Sequence, residues 1–359
     1  MKLPGAVTLS FIYASCFLGS GFVSGQELWQ FFGSFGVKGY LGFFLSTALF
    51  VAFGIMLLRL TQMTGYEELG RILVPWEKAE WLRHLAVGIT TLFLFGVMIQ
   101  LTAGVGALGA QLFSLPSWLG SAIFIALVCV IAMLGVTGMM NAASVIIPIL
   151  VLATILFAVG AWRNFDVSNV LRITKVNNNP LTPNWLIASL IYVAYNLIGG
   201  IGMMVPVGKV FSEKKTVWCG IILCGIELTV VATSILSSII SYPAAESAQM
   251  PMVAVGSALS PFLGGCYGVT LLLGMFCNAL TCLVGLLSHV SQRFTLVRDH
   301  RKAVLLILMV IFWAGSLLGF SNIIRVVLPI FGYLSITFLA TMAIHFITCK
   351  IECKKKSKV

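Results

Sequence analysis

The chain has 359 residues, of which 59% are hydrophobic and only 9% charged, with a mean hydropathy of +1.05. A soluble domain carries roughly 25% charge, so composition excludes a water-soluble globular protein and leaves a polytopic membrane protein. The formal net charge of +11 would suit a nucleic-acid partner, but its distribution along the chain points to the lipid bilayer instead.

Apolar runs at about 5–35, 38–60, 83–112, 117–138, 141–162, 184–208, 215–242, 262–292, 303–320 and 323–348 predict ten membrane-spanning helices. The first run starts after Lys2 and lacks a small-residue cleavage site behind a short apolar core, so it is expected to stay as a span. It contains Gly19-Ser20-Gly21-Phe22-Val23-Ser24-Gly25-Gln26-Glu27. Glycine weakens a helix, and a carboxylate at bilayer depth is costly. Irregular backbone survives there only where protein buries it or where it lines a water-filled cavity. The stretch therefore predicts a first helix broken in mid-membrane.

Basic residues alternate between the two sides of the predicted spans. With a cytoplasmic N-terminus, 17 of the 22 lysines and arginines fall on the inner side, including Arg59, Arg71, Lys78, Arg83, Lys214, Lys215 and the tail Lys350–Lys358. The outer side keeps Lys38, Arg163, Arg172, Lys175 and Arg325. This asymmetry places both termini in the cytoplasm of a plasma-membrane protein, and anionic lipid accounts for the basic tail.

An internal repeat is also visible. Span six carries Tyr195-Asn196-Leu197-Ile198-Gly199-Gly200-Ile201-Gly202, followed by Pro206, and a shift of 181 residues lays Gly19 and Gly21 on Gly200 and Gly202. Five spans separate the two stretches, so the halves must have opposite topology. The expected organisation is a first repeat over 1–165, an outer connector over 166–183, a second repeat over 184–348 and a basic tail over 349–359. Interrupted spans at matching places in inverted halves mark a transporter binding site. On this reading helices 1 and 6 are both broken. Their free N–H groups would meet a carboxylate and their frayed carbonyls a cation.

Gly-x-Gly-Phe-x-Ser-Gly-Gln-Glu, followed by Gln30-Phe31-Phe32 and Gly36, resembles the first-helix signature of the YkvI family. The resemblance implies an amino-acid permease of the APC superfamily with the LeuT-type five-plus-five fold. Asn278-Ala279-Leu280-Thr281-Cys282 is similar to the eighth helix of bacterial branched-chain amino-acid carriers. By that analogy Thr281 and Cys282 occupy the hydroxyl positions of a sodium site completed by carbonyls of Leu18 and Ser15, so a sodium ion would sit at Leu18 and Thr281. Sodium wants oxygen and a thiol is a poor substitute, so Cys282 weighs against sodium coupling.

Most single residues have a plainer reading beside the functional one. Glu27 either carries a proton or faces a substrate amine, or else it caps the resumed half-helix. Glu227 is a second acid within a span, a proton carrier or a neutral hydrogen-bonded group. Gln26, Gln100, Asn196 and Asn278 are mid-span amides that more often join helices than touch ligands. Gly104-Val105-Gly106-Ala107-Leu108-Gly109 spells the dinucleotide fingerprint but lies inside an apolar helix with no strand before it, so it reads as helix packing. The loop holding Met250 and Met252 reads as a surface connection, with a lid as the alternative.

The expected function is secondary transport of a small amino-acid-like solute by alternating access, coupled to a proton or sodium, with a proton favoured. Substrate contacts are expected from Gly19, Ser20, Gly21, Phe22, Ser24 and Gly25 in the first break and from Tyr195, Asn196, Gly199, Gly200 and Gly202 in the second. Tyr192 is a further wall or gate aromatic. Ion or proton coupling is assigned to Glu27, Glu227, Leu18, Ser15, Asn278, Thr281 and Cys282. The alternative is a nutrient-sensing receptor subunit of the same fold, like those of spore germination, without net transport. No cofactor, metal-ligand spacing or nucleophile–base pair is present in the sequence, so an enzyme is not expected.

Overall fold

A bilayer offers backbone groups no water, so each apolar run must satisfy its own peptide groups by winding into helix. The computed structural model follows that rule, and no strand occurs among the described residues. Those residues are 5–66, 68–134, 149, 151–157, 159–161, 165–173, 179–211, 213–293 and 299–356.

The first span is made of three pieces, α1 (Ala6–Ser15), α2 (Ser20–Val23) and α3 (Gln26–Phe31). It is followed by α4 (Val37–Thr64), the short α5 (Leu69–Leu73), α6 (Glu80–Phe113), α7 (Ser117–Leu134) and α8 (Val151–Ala161). The fifth expected span is thus seen only in its second part. After α9 (Val167–Arg172) come α10 (Trp185–Val210), α11 (Lys214–Ser241), α12 (Pro251–Leu259), α13 (Pro261–Arg293) and α14 (Arg301–Ser316). A π-helical segment, Ile323–Val327, leads into α15 (Leu328–Lys356). Five helical stretches, within Val37–Thr64, Glu77–Phe113, Lys214–Ser241, Pro261–Val284 and Phe320–Glu352, are long and apolar enough to cross a membrane, and shorter apolar helices stand at the other expected positions.

Packing places the first span and α10 at the centre. α1 runs along α11, while α10 lies between α4 and α15, and α6 packs on α7 and α13. Small residues set several of these approaches. A Cβ on Gly106 would strike Ser121 and the backbone of Ser117, and one on Gly120 would lie 3.2 Å from the Cα of Gly106. The fingerprint-like glycines are therefore contact points between α6 and α7. The outer faces stay apolar, as α7 shows by exposing Ile123, Leu127 and Val130.

The two loop elements are docked. α5 buries Ile72 and Leu73, Ile72 O lies 2.9 Å from His345 Nδ1 on α15, and Arg83 donates to the carbonyls of Val74 and Pro75 at 2.8 and 2.9 Å. α12 buries Pro251, Met252 and Val253, and Met250 before it is likewise fully covered. The connection expected as a plain surface loop is thus a packed helix.

Candidate functional site

The break in the first span follows from where its backbone hydrogen bonds go. α1 stops at Ser15, and Gly19 N–H turns back to Phe17 O at 2.7 Å instead of continuing the helical ladder. Among the described residues no backbone donor reaches the carbonyls of Cys16 and Leu18. One turn later the chain bends again at Gly25, whose φ of +84° is left-handed backbone that a side chain resists. A Cβ there would also lie 2.7 Å from Ile239 Cδ1.

The second bend returns Glu27 towards the break. Its carboxyl lies so close over α2 that a Cβ on Gly21 would collide with it. Gln100 Nε2 on α6 donates to Oε1 at 2.9 Å, and Tyr195 OH on α10 donates to Oε2 at 3.0 Å. The carboxyl group is thus held from two helices, by neutral donors only, in a residue that is 6% exposed. Beside it Gln26 donates to Ser321 Oγ at 3.0 Å, and its own carbonyl oxygen is buried without a protein partner.

Glu27 forms part of the wall of a cavity of about 90 Å³ between the first span, α6, α10, α13 and α15. The sequence-derived candidates Ser15, Gly19, Ser20, Tyr195, Asn196, Gly199, Asn278 and Cys282 line the same space. The asparagine amides differ in engagement: Asn196 Nδ2 donates to Tyr192 O at 2.9 Å, while Asn278 Oδ1 accepts from Cys282 Sγ at 3.4 Å. Cys16, Phe17, Phe93, Leu94, Val97 and Leu328 complete the wall without being sequence candidates, and Gln100, a mid-span amide that more often joins helices than touches a ligand, joins α6 to the first span through Glu27. Its signal was available: a mid-span amide needs a partner, and a mid-span acid was present.

Other candidates lie elsewhere. Phe22 packs edge-on against Phe43 with ring centroids 6.1 Å apart, away from the wall. Ser24 Oγ donates to Gly21 O at 3.1 Å, and Gly25 and Gly21 shape the backbone without lining the space. The side chain of Leu18 is buried in the core. Glu227 accepts from Ser10 Oγ at 3.0 Å on the α1–α11 contact, outside the cavity. Tyr192 joins an aromatic cluster with Phe31, Phe32 and Phe50, with ring centroids 4.9–6.0 Å away. The side chain of Thr281 and the surroundings of Gly202 lie outside the described residues.

The second expected break is absent. α10 runs as one helix from Trp185 to Val210, straight through Gly199–Gly202. Its glycines are used for close approach instead. A Cβ on Gly199 would press into the ring of Phe93, and one on Gly200 would lie 3.1 Å from Cys16 Cβ. Glycine permits a break but does not impose one, and here neighbouring side chains occupy the room it leaves. The expected carboxylate clamp of two facing helix ends therefore loses one of its halves.

Hydrogen bonds to main-chain atoms also tie α12 to the first span and to α6. Met252 N–H donates to Ser24 O at 2.9 Å, and Gln111 bridges to Met250 through both its amide atoms, at 3.1 and 3.2 Å.

No protein-family model matches the chain. It is similar to the uncharacterized membrane protein YkvI of Bacillus subtilis, with 24% identity over 98% of each chain. It is also similar to the uncharacterized protein YyaD of the same organism, with 24% identity over 93% of this chain and 94% of that one. Among solved structures, MhsT in complex with L-phenylalanine matches with a TM-score of 0.67 and 16% identity, covering 95% of this chain and 89% of its own. Mhp1, a nucleobase-cation-symport-1 family transporter, matches in a closed conformation with bromovinylhydantoin bound, with a TM-score of 0.63 and 14% identity over 91% and 74% of the two chains. The chain is therefore an all-α polytopic membrane protein of the LeuT-type fold that MhsT and Mhp1 share, similar to YkvI along nearly its whole length.

Proposed function

We propose that this protein is a secondary transporter that moves a small amino-acid-like solute across the plasma membrane by alternating access. The observation that carries the reading is the broken first span, whose unwound Cys16–Gly19 segment opens on a central cavity shared with Glu27. A structural membrane protein has no use for bare peptide groups and a buried acid around a space of this kind. The fold common to MhsT and Mhp1 supports the same reading, as does the expected pseudo-symmetry of residues 1–165 and 184–348. With α10 continuous, the solute rests on the first break and on side chains of α6, α10 and α13.

Coupling is to a cation, and a proton is favoured over sodium because Cys282 offers a thiol where a hard cation wants oxygen. The candidate carriers are Glu227, on the α1–α11 contact, and Glu27, at the cavity while no solute occupies it. Both termini face the cytoplasm in this reading, which the distribution of basic residues supports.

Purified protein in proteoliposomes, offered radiolabelled small amino acids with and without an inward proton or sodium gradient, tests the proposal. Gradient-driven accumulation is expected. Binding without accumulation would replace the transporter by a nutrient-sensing receptor subunit, and neither would dismiss both.

A further inference from the structure

Resting on the transport reading, we infer that Glu27 is the receptor for a protonated amine of the solute, and that the cavity admits only small ammonium-bearing solutes. The acid meets two neutral donors, Gln100 and Tyr195, and the described residues lining the cavity include no lysine, arginine or histidine. Each carboxylate oxygen can accept a second hydrogen bond, so the group is oriented yet not saturated. A buried carboxylate without a charge partner is costly. The protein supplies orientation and withholds the counter-charge, which leaves a cation from the cavity to provide it.

The rest of the wall is compatible with an organic cation. Phe17, Phe93 and Tyr195 place three aromatic rings around the space, and ring faces attract ammonium groups. Size sets the upper limit. The cavity of about 90 Å³ falls well below the roughly 300–1,000 Å³ typical of drug-sized ligand sites. Phe93 is part of the wall, and its ring also lies against Gly199. Solutes on the scale of glycine, alanine or a short alkylamine fit, and those with bulky side chains do not.

Equilibrium binding to the full-length protein in nanodiscs provides the test, with glycine, alanine, ethylamine, acetate, propionate, phenylalanine and sodium chloride as probes. Glycine, alanine or ethylamine is expected to bind, with acetate, propionate and phenylalanine at least 10-fold weaker. Glu27→Gln, which keeps the shape and one acceptor, is expected to weaken the amine at least 10-fold, while Phe93→Ala extends binding to phenylalanine. Three results overturn the inference: amine-free acids binding as tightly as their amino counterparts, unchanged amine affinity in correctly folded Glu27→Gln, or Glu27-dependent binding of sodium with no amine bound. Uptake assays on the same protein and variants reconstituted in proteoliposomes separate the two readings. Amine binding without uptake would remove transport and keep the receptor role, whereas unimpaired uptake by Glu27→Gln would do the reverse.

Discussion

The two glycine-rich stretches of this chain look alike in sequence and behave differently in space. Around residues 16–25 the first span is interrupted twice, between α1 and α2 and between α2 and α3, whereas 199–202 stay within one helix. What separates them is the company each keeps. In the first, Gly25 adopts a conformation other residues resist, Gly21 yields its side-chain volume to a carboxylate, and Ser24 O is taken by another element. In the second, Phe93 and Cys16 fill the space that the glycines leave. Glycine content marks where a helix is free to open, and tertiary partners decide whether it does.

The sharpest way to break this comparison is Gly21→Val. The added side chain displaces Glu27 from its donors, and solute binding is expected to be lost in an equilibrium assay on protein that still elutes as a folded species. Gly25→Ala comes next. Left-handed strain costs about 1–3 kcal/mol, and the contact with Ile239 adds to it, so thermal unfolding should move several degrees lower. Tyr195→Phe and Gln100→Leu each remove one donor to the carboxyl group. A hydrogen bond to a charged group is worth about 1.5–3 kcal/mol, so each should weaken amine binding by about 10- to 100-fold. If both variants bind as the parent does, the acid is not held as described. Gly200→Ala should do much less, because the one tight contact of its Cβ is Cys16 Cβ at 3.1 Å, with Cys16 Sγ and Phe17 Cε1 at ordinary distances of 3.6 and 4.0 Å. A loss of stability under about 1.5 kcal/mol is expected, and a larger one would mean that α10 needs its glycines as the first span does.

The smallest effect concerns Glu246, on the α11–α12 connection outside the membrane, where partial burial raises its pKa. A carboxyl group whose pKa is raised by folding opposes folding once ionised. That penalty is present above the folded pKa and fades as pH falls through it. Glu246→Gln should therefore raise the melting temperature slightly at pH 7 and leave it unchanged near pH 4. A difference that grows on acidification would reverse the sign and contradict the burial argument.

The spans were legible from sequence because a bilayer demands long apolar runs, and α4, α6, α11, α13 and α15 stand where those runs predicted. The first break was legible for a similar reason, since Gly19–Gly25 followed by Glu27 has no place in a lipid-facing helix. The continuity of α10 was not, because it depends on Phe93 and Cys16, residues distant in sequence whose contact only the fold creates. The role of Gly21 was hidden in the same way: nothing local shows that the chain will double back and lay Glu27 over it. Gln100 illustrates a middle case, a residue whose kind was noted and whose partner was not.

The bond from Met252 N–H to Ser24 O joins one peptide unit to another. Any movement of α12 away from the first span must part these two atoms, and no ordinary replacement at either position can delete them. Only an imino acid at 252 or a shift of the whole short helix would do so. The latch is therefore indifferent to sequence drift, and relatives with quite different residues at these two places can retain it.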